Sequence, residues 1–331
     1  MAVFRCSKCS YLREVPNEYT GKSVNCPVCQ EVMPIYDTID FINKIVQKYV
    51  NLYKELQQLK QQTPSASNFA GVPDEPAGNA EINIYNTTDM MKVDQFEPIL
   101  QWFRRKQIQV EVDEKAVDTT GFFDEIAVKL GDNYELLKEV SDRIKRAQMK
   151  GYINVALNLS KYSQKEVKCI TDFCQELYQY SFLAKYYHYN KEGRIQLSLQ
   201  TAPAIVKFFN GEWLEWFVFM KLLALCHEKK LSYSCLRSFT INFPNEDKHE
   251  LDVFFLIDGS IPLCLECKSG EFRSLIDKYS RLRRRLNIDK TYFLLLVVGL
   301  NDEQTQGLTS MFDLTFVNER TFLPHISALL T

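Results

Sequence analysis

The sequence predicts an α/β domain at its C-terminal end, preceded by a cysteine-rich segment, an amphipathic helix and a mixed, mainly helical middle domain. Three observations lead to this prediction. Helical and strand patterns alternate regularly after about residue 204, two CxxC pairs lie near the start, and one stretch rich in Pro, Gly, Ala and Ser interrupts the chain. The predicted segments are 1–36, 37–62, a linker at 63–80, 81–203 and 204–331.

The composition is that of an ordinary globular protein. A chain of 331 residues has room for two or three domains, and its apolar fraction of 46% is sufficient for a sizeable core. The net charge of -2 gives no overall attraction for nucleic acid, so such binding has to come from local patches. No apolar run resembles a signal peptide or a membrane span. We therefore expect a cytoplasmic protein with no membrane partner.

Four cysteines near the start predict a zinc ribbon. Cys6 and Cys9 form one CxxC pair, Cys26 and Cys29 form the other, and sixteen residues separate the pairs. Each pair can present two thiolates to one ion, so together they complete a closed, tetrahedral Zn²⁺ site with a structural role. A segment this small depends on metal for its folding energy. The sequence leaves two kinds of binding partner open for the zinc ribbon, nucleic acid and another protein.

The segment 37–62 has the apolar spacing of an amphipathic helix. Its seam alternates three- and four-residue steps, through Ile42, Ile45, Tyr49, Leu52, Leu56 and Leu59. Two interpretations stay open. The helix packs on its own chain, or it forms a short parallel coiled coil that makes the protein a homodimer.

The middle segment 81–203 predicts a strand at 81–86, a helix at 91–108 and a strand at 109–113. Helices follow at 122–130, at 133–150 and after Ser163, and then a hairpin of strands 186–189 and 194–199. Helices followed by a hairpin resemble a winged-helix arrangement, with a recognition helix near 164–178. The exposed face of that helix is not notably basic, so a packing role is the favoured interpretation.

The C-terminal segment predicts a layered α/β fold. Its elements are a helix at 211–229, strands at 238–243, 250–257 and 262–268, a helix at 272–286, a strand at 291–298, a helix at 302–311, a short strand at 314–317 and a last helix.

Two of these strands carry the residues that point to chemistry. Glu266 and Lys268 are two residues apart, so they share one side of a strand, and Asp252 lies near the same end of the adjoining strand. Carboxylates crowded among apolar strands repel each other unless a cation separates them. Mg²⁺ or Mn²⁺ would resolve this while keeping the water that phosphodiester hydrolysis requires. Lys268 could orient or deprotonate that water, or stabilise the reacting phosphate.

A structural interpretation competes with this one. Asp252 could be a turn residue at a strand end, with Glu266 and Lys268 an exposed pair. An isolated ExK on a strand is common, but Asp252 and ExK separated by thirteen residues, inside strongly apolar strands, form a far more specific pattern.

Asp252 with Glu266-Cys267-Lys268 resembles the PD-(D/E)xK, or restriction-endonuclease-like, nuclease superfamily. Asn210 to Glu215, Glu250 to Val253 and Leu265 to Lys268 look like the nuclease domain of CRISPR ancillary nucleases linked to cyclic oligoadenylate. The resemblance covers about residues 200–331 and implies that Glu215, on the first core helix, is a further metal-shell carboxylate. The proline that names the superfamily is absent before Asp252, and no convincing sensor domain precedes this region.

A basic helix follows the ExK strand. Four of its residues are candidates for contact with a nucleic-acid backbone: Lys278, Arg281, Arg284 and Arg285. A solvated helix face is the competing interpretation.

The sequence therefore predicts a nuclease that uses Mg²⁺ or Mn²⁺ to hydrolyse phosphodiester bonds, with DNA favoured over RNA as substrate. The catalytic group would be Glu215, Asp252, Glu266 and Lys268. A setting in antiviral defence or mobile-element biology follows from the resemblance alone. The alternative is a non-catalytic nucleic-acid-binding or scaffold protein that retains the nuclease fold.

Overall fold

The computed structural model describes residues 2–5, 12–38, 93–112, 121–244 and 248–330. The chain divides into two compact units, Met1–Asn79 and Ala80–Thr331, which are described separately. Among the helices in these ranges, none is long and apolar enough to cross a membrane.

The first unit contains a small antiparallel sheet. Its strands are β1 (Ala2–Arg5), β2 (Leu12–Val15), β3 (Ser23–Asn25) and β4 (Val32–Asp37), in the order β2-β1-β4-β3. Its core is made by few residues: Ala2, Phe4, Cys26 and Ile35. So small a core is consistent with a segment that needs a further source of stability.

The structure describes two of the four cysteines of the predicted zinc ribbon. Cys26 is buried, and its sulfur accepts a hydrogen bond from the Val28 backbone N–H at 3.4 Å. Cys29 lies three residues further on and is half-buried. Cys6 and Cys9 lie outside the described residues, as do almost all of the predicted helix at 37–62 and the whole linker at 63–80. The zinc site and the coiled coil therefore stay predictions.

A mixed six-stranded sheet organises the second unit. Its order is β13-β12-β11-β10-β9-β5; β11, β12 and β13 run parallel, and the other neighbours pair antiparallel. The strands are β5 (Gln109–Glu111), β9 (Tyr233–Asn242), β10 (Lys248–Ile257), β11 (Ile261–Lys268), β12 (Phe293–Val297) and β13 (Thr315–Val317). This confirms the predicted α/β class; β9 begins five residues earlier than its pattern indicated.

Helices cover both faces of this sheet. On one face lies α6 (Trp213–Glu228), which is apolar almost all round because it packs between the sheet and a further helical layer. On the other face lie α1 (Val93–Arg104) and α7 (Ile276–Leu286). Two more helices, α8 (Asp302–Met311) and α9 (Phe322–Leu329), complete the C-terminal region.

The further helical layer consists of α2 (Phe122–Asp132), α3 (Tyr134–Met149) and α4 (Gln164–Gln179). It packs on a three-stranded antiparallel sheet of order β6-β8-β7, made by β6 (Asn154–Asn158), β7 (Leu183–Tyr189) and β8 (Arg194–Leu199). The predicted β7–β8 hairpin is confirmed. β6 was not predicted, because its five residues carry only two large apolar side chains.

The predicted boundary between residues 203 and 204 lies within this unit. Leu137 and Phe173 of the helical layer share one apolar core with Phe217 of α6 and Val253 of β10. In the same way, Phe103 of α1 packs against Phe254 of β10, with ring centroids 5.2 Å apart. The segments on both sides of the predicted boundary thus bury apolar surface against each other.

Candidate active site

The candidate site forms where β10 and β11 separate. Their pairing runs from Ile257 opposite Ile261 to Val253 opposite Leu265, and Asp252 is the next residue of β10. One oxygen of its carboxylate, Oδ2, accepts a hydrogen bond from the Cys267 backbone N–H at 2.7 Å. The carboxylate therefore takes a donor that the strand ladder would otherwise use, and this fixes the Asp252 side chain at the end of β11.

The neighbouring strand β9 is irregular at the same level. Ser238 has a φ of 48°, in the left-handed region, between the paired positions Leu251–Phe239 and Val253–Arg237. Side-chain alternation is interrupted there, because Leu236 and Phe239, three residues apart, contribute to the same core. Such an interruption re-aims side chains next to it, as β-bulges often do beside active sites.

Lys268 joins the two strand carboxylates. Its Nζ lies 2.9 Å from Asp252 Oδ2 and 3.7 Å from Glu266 Oε2. Both carboxylate residues are buried, with 7% of Asp252 and 1% of Glu266 exposed. The structure thus brings together the three residues that the sequence placed on adjoining strands, and Lys268 is the cation that lies between the carboxylates.

Glu215 approaches from the first turn of α6. Its Oε2 accepts a hydrogen bond from the Ser238 hydroxyl and lies 3.3 Å from Arg237 Nη1. The Arg237 guanidinium also stacks on the Trp216 ring, 3.5 Å from its centroid. Burial, followed by the negative charge of Asp252, raises the pKa of Glu215 to about 8, although Arg237 and Ser238 oppose the shift. Arg237 and Ser238 were not predicted, because nothing in the sequence marks the irregularity of β9.

A kink at Gly211 sets the start of α6. Gly211 has a φ of 148°, which favours glycine, within the π-helical turn Phe208–Glu212. A Cβ at this position would lie 3.0 Å from the Ser269 Oγ, so the turn and the end of β11 approach closely. The conformation and the close contact both explain why glycine stands here.

Glu266 is the most deeply buried carboxylate of the group. Burial, followed by the charge of Asp252, raises its pKa well above the ordinary value, while Lys268 and the Tyr279 hydroxyl oppose the shift. Its Oε1 is buried and has no hydrogen-bond partner among the described residues. For Lys268, burial alone would lower the pKa, but Asp252 and then Glu266 outweigh it and raise the pKa of the ammonium above its ordinary value.

A divalent cation fits the chemistry of this group. The unpartnered Glu266 oxygen and the mutual repulsion of three carboxylates are what a hard, oxygen-preferring ion would relieve. Within the described ranges, however, no three His, Cys, Asp or Glu side chains already stand at the spacing of a metal site. Lys268 holds Asp252 and Glu266 instead, so an ion would require their side chains to rearrange around it.

An open cavity of about 400 Å³ gives access to this group. Glu215, Cys267 and Lys268 line it, and two further lysines do so from outside the strands: Lys145 of α3 and Lys207 at the end of α5 (Pro203–Lys207). Lys145 Nζ donates to the Asn210 backbone carbonyl at 3.0 Å. Sequence reasoning missed both lysines, because no motif connects α3 or α5 with a strand more than sixty residues away.

The basic residues predicted on α7 are divided by the structure. Lys278 lies near the site, since its charge acts on Glu266. Arg281 is exposed. Arg284 Nε is 3.3 Å from Asp313 Oδ2, and the Arg285 guanidinium lies 4.0 Å from the Phe243 ring centroid, so both already have intramolecular contacts. Lys278 therefore remains the best placed of the four for a ligand at the site.

Comparisons with known proteins give structural likenesses only. No family model matches the chain, and no curated protein sequence matches it. Among solved structures, protein VC1899 from Vibrio cholerae is similar with a TM-score of 0.48 and 15% identity, over 70% of this chain and 60% of that one. Can2 from Sulfobacillus thermosulfidooxidans, in complex with cyclic tetra-adenylate, is similar with a TM-score of 0.47 and 13% identity, over 70% and 59%. The chain thus spans about 60% of each of these proteins.

Proposed function

We propose that the protein is a metal-dependent endonuclease that hydrolyses phosphodiester bonds, with DNA favoured over RNA. One observation carries the proposal. Two buried carboxylates, Asp252 and Glu266, share a single lysine, Lys268, beside a cavity lined by further lysines. Buried carboxylates with shifted pKa values in such a place are typical of functional sites. Burying them lowers the stability of the fold, which a purely structural role does not explain.

Mg²⁺ or Mn²⁺ would be held by Asp252 and Glu266, with Glu215 as a further ligand or metal-shell group. When bound, the ion supplies a water of lowered pKa and neutralises charge on the scissile phosphate. Glu266 Oε1, which is buried without a partner in the described part of the chain, is the oxygen best suited to face the ion. Arg237 and Ser238 hold Glu215 in position from β9.

Lys268 acts as a fixed positive charge in this proposal. Its raised pKa keeps the ammonium protonated at neutral pH, so it is poorly suited to remove a proton from water. An ammonium fixed by Asp252 is well suited to stabilise the negative charge that develops on the reacting phosphate. Of the roles that the sequence left open for Lys268, the proposal therefore keeps stabilisation of the reacting phosphate and gives up deprotonation of the water.

Lys145 and Lys207 would contact the phosphates that flank the scissile bond. Lys207 is largely exposed, and its nearest acidic partner, Glu212, is 4.0 Å away. Together with Lys268 these residues place three positive charges around one cavity. Local charge of this kind can attract a polyanion although the net charge of the chain is only -2.

The remaining features extend the proposal. Cys6, Cys9, Cys26 and Cys29 would hold a structural Zn²⁺, the segment 37–62 would form the homodimer, and the ribbon would bind nucleic acid or a protein partner. A setting in antiviral defence or mobile-element biology rests on the resemblance to the CRISPR ancillary nucleases.

Nuclease assays test the proposal directly. Purified protein is incubated with plasmid, single-stranded DNA and RNA in Mg²⁺, Mn²⁺ or EDTA. We expect metal-dependent cleavage that disappears in Asp252→Asn, while Asp172→Asn, a change at an exposed aspartate of α4, cleaves like the wild type. Cleavage that persists in Asp252→Asn would contradict the assignment of the site.

One observation favours a second candidate, a non-catalytic binding or scaffold protein. Lys268 already forms ion pairs with both strand carboxylates, and no described group of three ligands is preformed for a metal. This candidate predicts nucleic-acid binding without cleavage of any of the three substrates. It also predicts that added Mn²⁺ leaves thermal unfolding unchanged.

A further inference from the structure

The outer face of the three-stranded sheet combines tyrosine, basic, amide and hydroxyl side chains. The register places nine residues on it in three cross-strand rows: Asn154, Ser198 and Lys185; Ala156, Gln196 and Tyr187; Asn158, Arg194 and Tyr189. The alternate residues of the same strands, among them Leu157, Ile195 and Leu197, face the helices and are buried in the core. The nine residues therefore point away from the helical layer.

Two tyrosines stand out on this face. Tyr187 is 51% exposed and Tyr189 is 40% exposed. They are two positions apart on β7, so their rings rise from the same side of the strand about 7 Å apart. The Arg194 guanidinium lies 4.9 Å from the centroid of the Tyr189 ring and adds a cation beside it.

The charge of the face is suited to an anion. None of the nine positions is acidic, and Lys185 and Arg194 are basic. Glu192, in the turn between β7 and β8, lies 2.9 Å from Arg194 and offsets part of its charge. Four of the remaining positions carry amide or hydroxyl groups (Asn154, Asn158, Gln196 and Ser198), which can hydrogen-bond to base edges or sugars.

We propose that this face binds single-stranded nucleic acid, with bases stacked on Tyr187 and Tyr189 and phosphates near Lys185 and Arg194. A sheet that combines exposed aromatic rings with basic and amide side chains is a recurrent platform for single strands, because every base offers a face for stacking. A duplex keeps its bases stacked on each other and cannot use the rings in this way. As a means of holding substrate the inference rests on the proposed nuclease function, whereas binding itself can be measured separately.

A competing binding element lies on the other side of the sheet. Helix α4, which corresponds to the recognition helix of the winged-helix interpretation, carries Tyr178, a third exposed tyrosine at 48%. Its ring lies 6.5 Å from that of Tyr186, one of the side chains directed toward the helices. Tyr178 is therefore a matched control, since it has the same chemistry and similar exposure but belongs to the opposite side of the sheet.

Fluorescence anisotropy with labelled dT20, rU20 and a 20-base-pair DNA duplex tests the inference on the full-length Asp252→Asn protein without added Mg²⁺ or Mn²⁺, where cleavage is blocked. We expect binding of the single strands, a loss of about tenfold in affinity for Tyr187→Ala and for Tyr189→Ala, and little change for Tyr178→Ala. Tyr187→Phe should keep most of the affinity, because the stacking surface is retained.

Two results would overturn the inference. One is unchanged single-strand affinity in the Tyr187→Ala/Tyr189→Ala double variant with circular dichroism like that of the parent. The other is a loss confined to Tyr178→Ala, which would assign binding to α4. A cleavage assay of the same tyrosine variants with Asp252 restored separates the two proposals. If the protein cleaves with metal but the sheet face does not bind single strands, only this inference is contradicted. If the sheet face binds single strands but no substrate is cleaved, only the proposed nuclease function is contradicted.

Discussion

Two clusters of ionisable side chains in the second unit have similar chemistry and opposite electrostatics. In the surface cluster on α3, one carboxylate, Glu139, receives three donors: Lys161, Tyr162 at 2.8 Å and Arg143 at 3.0 Å. The hydrogen bond from Lys161, followed by that from Tyr162, lowers the pKa of Glu139 to about 2. In the buried cluster, Asp252 and Glu266 share Lys268, and the pKa of Glu266 rises well above its ordinary value.

The opposite pKa shifts of Glu139 and Glu266 distinguish a stabilising cluster from a candidate functional one. An excess of donors around an accessible carboxylate contributes modestly to stability. An excess of buried carboxylates around one half-buried lysine is unfavourable for folding, and a protein keeps such an arrangement where a ligand or a reaction compensates for it. The following predictions test whether the two clusters differ in this way.

The largest effect is expected for Lys268→Met. Removal of the fixed ammonium should reduce cleavage by about 10²- to 10³-fold, the usual effect of deleting one preorganised group that stabilises the transition state. Lys161→Met, the corresponding change in the surface cluster, should leave cleavage within about twofold of the wild type. Plasmid-nicking rates in Mn²⁺ measure both. Equal rates for Lys268→Met and Lys161→Met would remove Lys268 from the mechanism.

Opposite changes in stability are expected for Glu266→Gln and Glu139→Gln. The first removes a carboxylate whose charge is disfavoured by burial, so the free energy of unfolding at pH 8 without added divalent cations should rise by about 1 kcal/mol. The second removes an acceptor from three donors and should lower the free energy of unfolding by about 0.5 kcal/mol. Urea unfolding of both variants gives the sign of each change in the free energy of unfolding. Changes of the same sign would contradict the proposed difference between the two clusters.

The pH dependence of stability should separate the clusters as well. Glu215 and Glu266 have raised pKa values in the folded protein, so the folded state holds protons that the unfolded state releases near pH 4.5. Without metal, these two groups should therefore destabilise the protein increasingly from about pH 4.5 to the pKa of Glu215, about 8. Glu139, with its lowered pKa, contributes stability above about pH 4.5 that is lost as pH falls toward 2.

Melting temperatures measured without added divalent cations between pH 2 and 9 test this prediction for both clusters. In Glu215→Gln the melting temperature should fall less steeply as pH rises toward 8. In the wild type, Mn²⁺ should also reduce this fall, because it stabilises the charged carboxylates. A wild-type profile that rises steadily up to pH 9, unchanged by Glu215→Gln, would contradict the assigned shifts.

The smallest effect is expected for Lys145→Ala. A lost phosphate contact should raise KM roughly tenfold with little change in kcat, and should reduce the slope of log affinity against log salt by about one. Lys138→Ala is the control, because Lys138 lies on the same helix but lines a different cavity. A fall in kcat with KM unchanged would place Lys145 in the chemical step instead of substrate binding.

Sequence patterns predicted the parts of this molecule that depend on short-range periodicity. Strand alternation placed Glu266 and Lys268 on one side of β11, and the short turn after Ile257 placed Asp252 on the neighbouring strand, where the structure has it. Helix α8 was predicted with its observed ends, and in the structure Asn301 and Gln304 form a capping box at its start.

The parts that escaped prediction depend on long-range packing. Lys145 reaches the cavity only because the helical layer packs on α6, and Lys207 reaches it because the turn before α6 lies against the end of β11; no local pattern encodes either contact. The left-handed Ser238 has no sequence signature, since serine gives no reason to expect a positive φ inside a strand. Alternation in the predicted strand 186–189 already puts Tyr187 and Tyr189 on one side, but the three cross-strand rows became visible only with the register of β6, which the sequence did not predict.

Titration of the protein with Mn²⁺ tests the central claim most directly, that the buried carboxylates hold a divalent cation. We predict saturable binding by the wild type and by Asp172→Asn at pH 7.5, and at least tenfold weaker binding by Asp252→Asn and Glu266→Gln. Equal affinity in all four proteins, or no binding by the wild type, would contradict the claim.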